Sequence, residues 1–210
     1  QNLNTAEIIS KIIYLQKISN KRISNVVFMG MGEPFLNYKN VIEAACRIKD
    51  IFNIGSRKIT ISTAGIASKI RQIADDNHKF KLAISMNAST NEIRKKIMPI
   101  TEKYPIQDLI SSAHYYYKKI KRFITFEYVL LKDINDSVND AIRLASHLRF
   151  LPCILNIIPY NEIDGAYKRP SNQVINDFVN ALDGYPFNVT VRWSKGISIE
   201  AGCGQLALKA

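Results

Sequence analysis

What most limits the fold of this chain is a rhythm. Over 210 residues, segments that read as strands alternate with segments that read as helices from one end to the other. Residues 6–18 carry Ile8, Ile9, Ile12, Ile13 and Leu15 on one helical face, and 25–31 form an apolar strand that runs into glycine. The periodicity predicts further helices over 41–51, 67–74, 106–120, 138–148 and 172–182. It predicts strands over 58–63, 80–86, 123–130, 153–158 and 187–193. Such alternation requires crossover helices and a parallel sheet. A doubly wound sheet and a full or partial β/α barrel both satisfy it. Either architecture places its chemistry at the carboxyl ends of the strands, so the residues just after each strand are the informative ones.

The first strand runs into Gly30-Met31-Gly32-Glu33-Pro34. Two glycines allow a sharp turn and leave room for a ligand beside main-chain N–H groups. Glu33 then stands at a strand end, a costly charge unless it meets a cation or several donors. It either caps the following segment or binds a ligand. The second strand ends Thr60-Ile61-Ser62-Thr63-Ala64-Gly65, whose hydroxyls can donate to a carboxylate or cap a helix. The third ends Ser85-Met86-Asn87, and on a continuing strand Ser85 and Asn87 project to the same side. The fifth runs into Pro159-Tyr160-Asn161. Four polar strand ends together point to one site.

Composition narrows the partners. The 29 Lys and Arg against 18 Asp and Glu give a net charge of +11, a bias towards polyanions through counterion release. Two basic stretches, Arg94-Lys95-Lys96 and Tyr115 to Arg122, read either as solvated faces or as RNA contacts. Three cysteines at irregular spacing (Cys46, Cys153, Cys203) argue against a disulfide framework and are expected in a reducing, cytoplasmic setting. Cys203 lies between Gly202 and Gly204, which leaves its sulfur approachable as a nucleophile, whereas Cys46 and Cys153 suit core positions. No metal-ligand spacing occurs among the His and Cys residues, and no apolar run approaches a membrane span. With 47% hydrophobic side chains at this length, one domain over residues 1–210 is expected.

Together these landmarks resemble the RlmN-type radical S-adenosylmethionine RNA methyltransferases. The resemblance rests on Met29-Gly30-Met31-Gly32-Glu33-Pro34, Thr60 to Gly65, Ala83-Ile84-Ser85, Phe126-Glu127-Tyr128-Val129-Leu130, Asn156 to Asn161 and Gly202-Cys203-Gly204-Gln205-Leu206, in the family's order. It implies an α/β fold: a partial (β/α) barrel of the radical SAM type, lacking its first strand and cluster loop. It implies methylation of carbon 2 of adenine in 23S rRNA and tRNA, with S-adenosylmethionine and a 4Fe-4S cluster as cofactors. Gly32 and Glu33 would hold the cofactor's amino group, with Ser62, Ser85, Met86, Asn87 and Asn161 making further contacts. Cys203 would carry the methyl group in transit, and a cofactor-derived radical would then activate that methyl for addition to adenine. The family further implies a cytoplasmic monomer that takes electrons from a donor such as flavodoxin.

The departures matter as much. The family's C-x-x-x-C-x-x-C cluster motif does not occur, and the chain opens on Gln1. In the family that motif, a resolving cysteine and a catalytic Glu precede the stretch that Gln1 to Ile9 resembles, so this chain is expected to be the family's body without its amino-terminal part, inactive alone. Asn87 stands where many members have His, and Trp193 and Lys195 where Arg is expected. Two alternatives stay open: the sister group that methylates carbon 8 of the same adenine, and a non-catalytic remnant that binds RNA or nothing.

Overall fold

Residues that alternate apolar and polar along a strand can bury one face and offer the other, and this sheet is built on that division. A computed structural model describes residues 2–30, 32–162 and 166–193. Six strands, β1 (Val26–Phe28), β2 (Ile59–Thr63), β3 (Lys81–Ser85), β4 (Ile124–Leu130), β5 (Cys153–Pro159) and β6 (Asn188–Val191), lie in sequence order, and every neighbouring pair is parallel. The order never reverses, so right-handed crossovers leave the helices on a single face. That decides between the two architectures open to the sequence: the sheet is barrel-like and unclosed, with β1 and β6 as its edges.

Register sorts the side chains. Ile59 and Ile61, Leu82 and Ile84, Phe126 and Tyr128, and Leu155 and Ile157 share the helix-covered face and are buried. The opposite, concave face carries Thr60 and Ser62, Ala83 and Ser85, Thr125 and Glu127, Asn156 and Thr190. The crossover helices α2 (Tyr38–Ile51), α3 (Ala67–Asp75), α5 (Ile106–Ile120), α6 (Val138–Leu148) and α7 (Asn172–Asn180) each bury an apolar stripe, and α1 (Thr5–Ile18) leads into β1. Capping boxes start α1 at Asn4 and α6 at Ser137, each joining a cap side chain to an acid three residues on.

One helix was not expected from the sequence, and it changes the reading of a basic stretch. Helix α4 (Asn91–Ile97) opens on Thr90, whose hydroxyl accepts from the Ile93 N–H. It carries Arg94 inward, to 0% exposure. The guanidinium donates from Nε to the Met86 carbonyl (3.0 Å), and from Nη2 to those of Ala64 (2.7 Å) and Ser85 (3.0 Å). Nη1 donates to Thr101 Oγ1 (2.9 Å) and the Tyr104 carbonyl (3.4 Å). Arg94 is therefore neither a solvated nor an RNA-facing residue; it ties the ends of β2 and β3 together. Burial lowers its pKa to about 10, which still leaves it charged at neutral pH.

Replacing Arg94 by Met strands three strand-end carbonyls while relieving the burial of a cation. Unsatisfied buried polar groups cost about 1–3 kcal/mol each, so a net loss of roughly 2–4 kcal/mol in urea unfolding is expected. Arg94→Lys should recover little, because an ammonium cannot reproduce the planar fork. An Arg94→Met midpoint equal to that of the parent chain would show that the clamp carries no stability.

Candidate active site

Strand β1 stops at Phe28 and the chain passes Gly30 to Gly32, whose φ of +85° is a conformation L side chains avoid. Glu33 follows in extended geometry and caps the single 3-10 turn after it, accepting from the Phe35 N–H at 2.9 Å. The same carboxylate reaches the next strand. Thr63 Oγ1 donates to its Oε1 at 2.7 Å and the Ala64 N–H to its Oε2 at 2.6 Å. Of the two roles open to Glu33, the cap is real, and the acid also staples the ends of β1 and β2. A carboxylate has about four acceptor positions, so these three donors leave capacity for a cation.

On the concave face, polar side chains form a row. Ser85, Glu127, Asn156 and Thr190 are successive partners across β3 to β6, with Ser62 beside them on β2. Ser62 Oγ donates to Glu127 Oε2 at 3.3 Å, and Thr190 Oγ1 to Asn156 Oδ1 at 3.1 Å. Glu127 is only 8% exposed, and burial pushes its carboxyl pKa up, against the opposing effects of the Ser62 hydrogen bond and of Arg192. The sequence reading gave Glu127 and Asn156 no role. The alternation in Phe126-Glu127-Tyr128 carried the signal, since it sets Glu127 on the face opposite two core aromatics.

The residues after β3 sit otherwise than expected. The strand ends at Ser85, and Asn87 adopts φ +54°, so Ser85 and Asn87 do not share a continuing strand face. Asn87 Oδ1 accepts from the Val129 N–H (3.0 Å), and its carbonyl accepts from Asn135 Nδ2 (2.7 Å), which ties the turn to β4. Met86 is 0% exposed in the core. Its N–H donates to the Glu127 carbonyl and its own carbonyl accepts from Arg94. Asn161 is buried just beyond β5. Gly32, Glu33, Ser62 and Ser85 thus lie at or near the ends of β1 to β3, with Gly32 exposed, Glu33 and Ser85 half-buried and Ser62 buried, whereas Met86 sits in the core and the half-buried Asn87 is bonded to β4. Cys203, Met31 and Lys195 lie outside the described residues.

The second basic stretch is an outer helix face. On α5, Tyr116 is buried and donates to the Phe80 carbonyl, while Tyr115 and Lys119 both bond Asp75 of α3. Neither described cysteine suits a metal. Burial drives the Cys153 thiol to about 12 and raises that of Cys46, and among the described residues no three His, Cys, Asp or Glu are grouped to hold an ion. An iron–sulfur cluster therefore finds no ligand set among them. A zwitterionic nucleoside does fit: an acid at one strand end, and hydroxyl, carboxyl and amide groups along the concave face.

Comparison with known proteins bears on the family and the fold. The family profile described as the radical SAM superfamily matches residues 2–145. This chain belongs to the radical SAM superfamily. It is 47% identical over 212 aligned positions to a protein of Dictyoglomus turgidum named "Probable dual-specificity RNA methyltransferase RlmN", covering 98% of this chain and 61% of that protein. A protein of the same name from Clostridium botulinum is 46% identical, with 98% and 60% covered. The chain therefore spans about three fifths of the length of these curated relatives. The crystal structure of a radical SAM methyltransferase from Sphaerobacter thermophilus superposes with a TM-score of 0.92 at 36% identity, over 98% of this chain and 62% of that one. Streptococcus suis SuiB, crystallised with S-adenosylmethionine, shares the fold at a TM-score of 0.65 and 16% identity, over 98% of this chain and 48% of that one. The partial radical SAM barrel implied by the sequence is thus the fold observed.

The buried acid of this superfamily member sets a sign for its stability. A carboxyl whose pKa is raised on folding binds more protons in the native state, so stability falls as pH rises from the ordinary Glu range through the folded value. Glu127→Gln removes that penalty. The variant is expected to unfold at higher urea than the parent at pH 7.5, with the gap closing below about pH 4. A lower midpoint for the variant at pH 7.5 would mean that the ionised carboxyl stabilises the fold.

Proposed function

We propose that this chain is the S-adenosylmethionine-binding body of an RNA methyltransferase that modifies carbon 2 of adenine in 23S rRNA and tRNA. The observation that carries the reading is likeness, over 98% of this chain and about three fifths of theirs, to proteins named RlmN, on a sheet with Glu33 after the end of β1 and Ser62 and Ser85 on its concave face. Glu33, beside Gly32, takes the ammonium of the cofactor's methionine as a fourth partner to its three donors. Ser62 and Ser85 offer hydroxyls to the rest of the ligand, with Asn161 at the far end. Met86 and Asn87 shape the wall through groups already bonded to β4 and Arg94. Cys203 is the nucleophile that accepts a methyl group and carries it to adenine.

Carbon 2 of adenine is electron-poor and no side chain readily makes it a nucleophile, so polar methyl transfer is disfavoured. S-adenosylmethionine, with an iron–sulfur cluster, supplies the methyl group and the radical chemistry when bound. The cluster is proposed to lie on sequence upstream of Gln1, as no described residue group suits it. What this chain contributes is binding, orientation and a shaped, polar face. The net charge of +11 suits a large RNA, and a reduced flavodoxin-type protein is the proposed electron donor to a cytoplasmic monomer. No helix among the described residues is long and apolar enough to cross a membrane.

The test uses this chain together with the cluster-binding segment proposed to precede it, reconstituted anaerobically with an rRNA fragment and with tRNA, and nucleoside mass spectrometry of the product. Methylation at adenine carbon 2 is expected, falling by at least about 100-fold in Cys203→Ala, as loss of a covalent carrier demands. Methyl appearing at carbon 8, or undiminished turnover in the Cys203 variant, would overturn the assignment.

A further inference from the structure

Glu127 is poorly satisfied for a buried acid. It is 8% exposed at the middle of β4, and Ser62 makes the one hydrogen bond to its carboxyl among the described residues, a long one at 3.3 Å. Its Oε1 accepts no hydrogen bond there. No Lys, Arg or His among the described residues comes within ion-pair distance of it. The charge that acts on it is Arg192, exposed just past the end of β6. Oε1 is nevertheless not sealed in, so the carboxyl has one long protein hydrogen bond and one oxygen left accessible, an arrangement that suits an arriving group better than a purely structural acid.

Its position says what the missing partner is. A ligand held by Glu33 after β1 and by Asn161 after β5 must cross β2, β3 and β4 between them, and so pass Ser85 and Glu127, which are register partners. In S-adenosylmethionine the group between the amino acid and the nucleoside is the positively charged sulfur. We infer that Glu127 is the counter-charge to the sulfonium of bound S-adenosylmethionine, and so a specificity-determining residue that separates this cofactor from its neutral thioether product. This rests on the cofactor reading proposed above. Burial that disfavours the bare anion agrees with it, because an arriving cation offsets that penalty.

Calorimetric titration of the 210-residue chain and its Glu127→Gln variant, each with S-adenosylmethionine and with S-adenosylhomocysteine, tests the inference without turnover. The two ligands differ only in the S-methyl group and the positive charge that it confers on sulfur. The parent chain should prefer the sulfonium. Glu127→Gln should weaken S-adenosylmethionine about tenfold and leave S-adenosylhomocysteine within about twofold, collapsing the preference. Glu127→Asp, which keeps the charge but withdraws it by one methylene, should fall between. Equal weakening of both ligands would mean that Glu127 meets the nucleoside or props the fold, and no change in either would mean that it touches nothing; both overturn the inference while the cofactor reading stands. A parent chain that binds neither ligand would bring down both together.

Discussion

A parallel sheet has a difficulty at its carboxyl edge: where strands diverge into loops, the last carbonyls lose their ladder partners, and a buried carbonyl must find a donor. In this chain one cation meets the need. The Arg94 guanidinium offers five N–H groups in a fixed plane. It spends them on the carbonyls of Ala64, Ser85, Met86 and Tyr104 and on the Thr101 hydroxyl. Residues distant along the chain are bound to this one group. Gly65 has φ +106°, and a Cβ there would lie 2.6 Å from Leu109 Cδ1 and 3.2 Å from Arg94 Nη2. The positive φ and the closeness of Leu109, more than that of Arg94, demand glycine after Ala64.

The one-sided wrapping of the sheet decides where chemistry can happen. With helices on one face, β-strand alternation makes that face a continuous apolar core and frees the other from the demand to be apolar. Polar residues are tolerated on the concave face because a ligand or solvent can meet them, and they line up in register because parallel strands of successive βα units repeat the same offset. Ser85, Glu127, Asn156 and Thr190 form one such line across four strands.

Much of this was legible in the sequence, to the extent that a residue's role depends on its near neighbours. β4 is strongly alternating and paired on both sides, and it runs Ile124–Leu130 against an expected 123–130. β1 is only Val26–Phe28 against 25–31, because an edge strand has one partner and its apolar run continues into residues that turn away. α4 was invisible: seven residues make too little helix for periodicity to register, and its stability comes from contacts elsewhere. Arg94 was misread for the same reason, since Lys95 and Lys96 make it look like a surface residue while its five acceptors lie on other elements. The left-handed turn at Asn87 depends on hydrogen bonds to Val129 and Asn135, more than forty positions away, and no local pattern announces them.

The two charged groups that organise the strand ends are joined through one small residue. Ala64 donates its N–H to Glu33 Oε2 and offers its carbonyl to Arg94 Nη2, so it is held between a carboxylate and a guanidinium. Thr63 strengthens the anionic side, donating to Glu33 Oε1 while its oxygen accepts from the Gly65 N–H. An acid meant to capture an ammonium loses much of its value if it must first be ordered, because ordering a long side chain offsets part of the binding energy. Here the ordering is done in advance by the fold: three donors fix the Glu33 carboxylate, and one of them belongs to a residue anchored in turn to the buried cation. The hydrogen bonds that give Glu33 a structural task are therefore also what would make it an effective ligand-binding group.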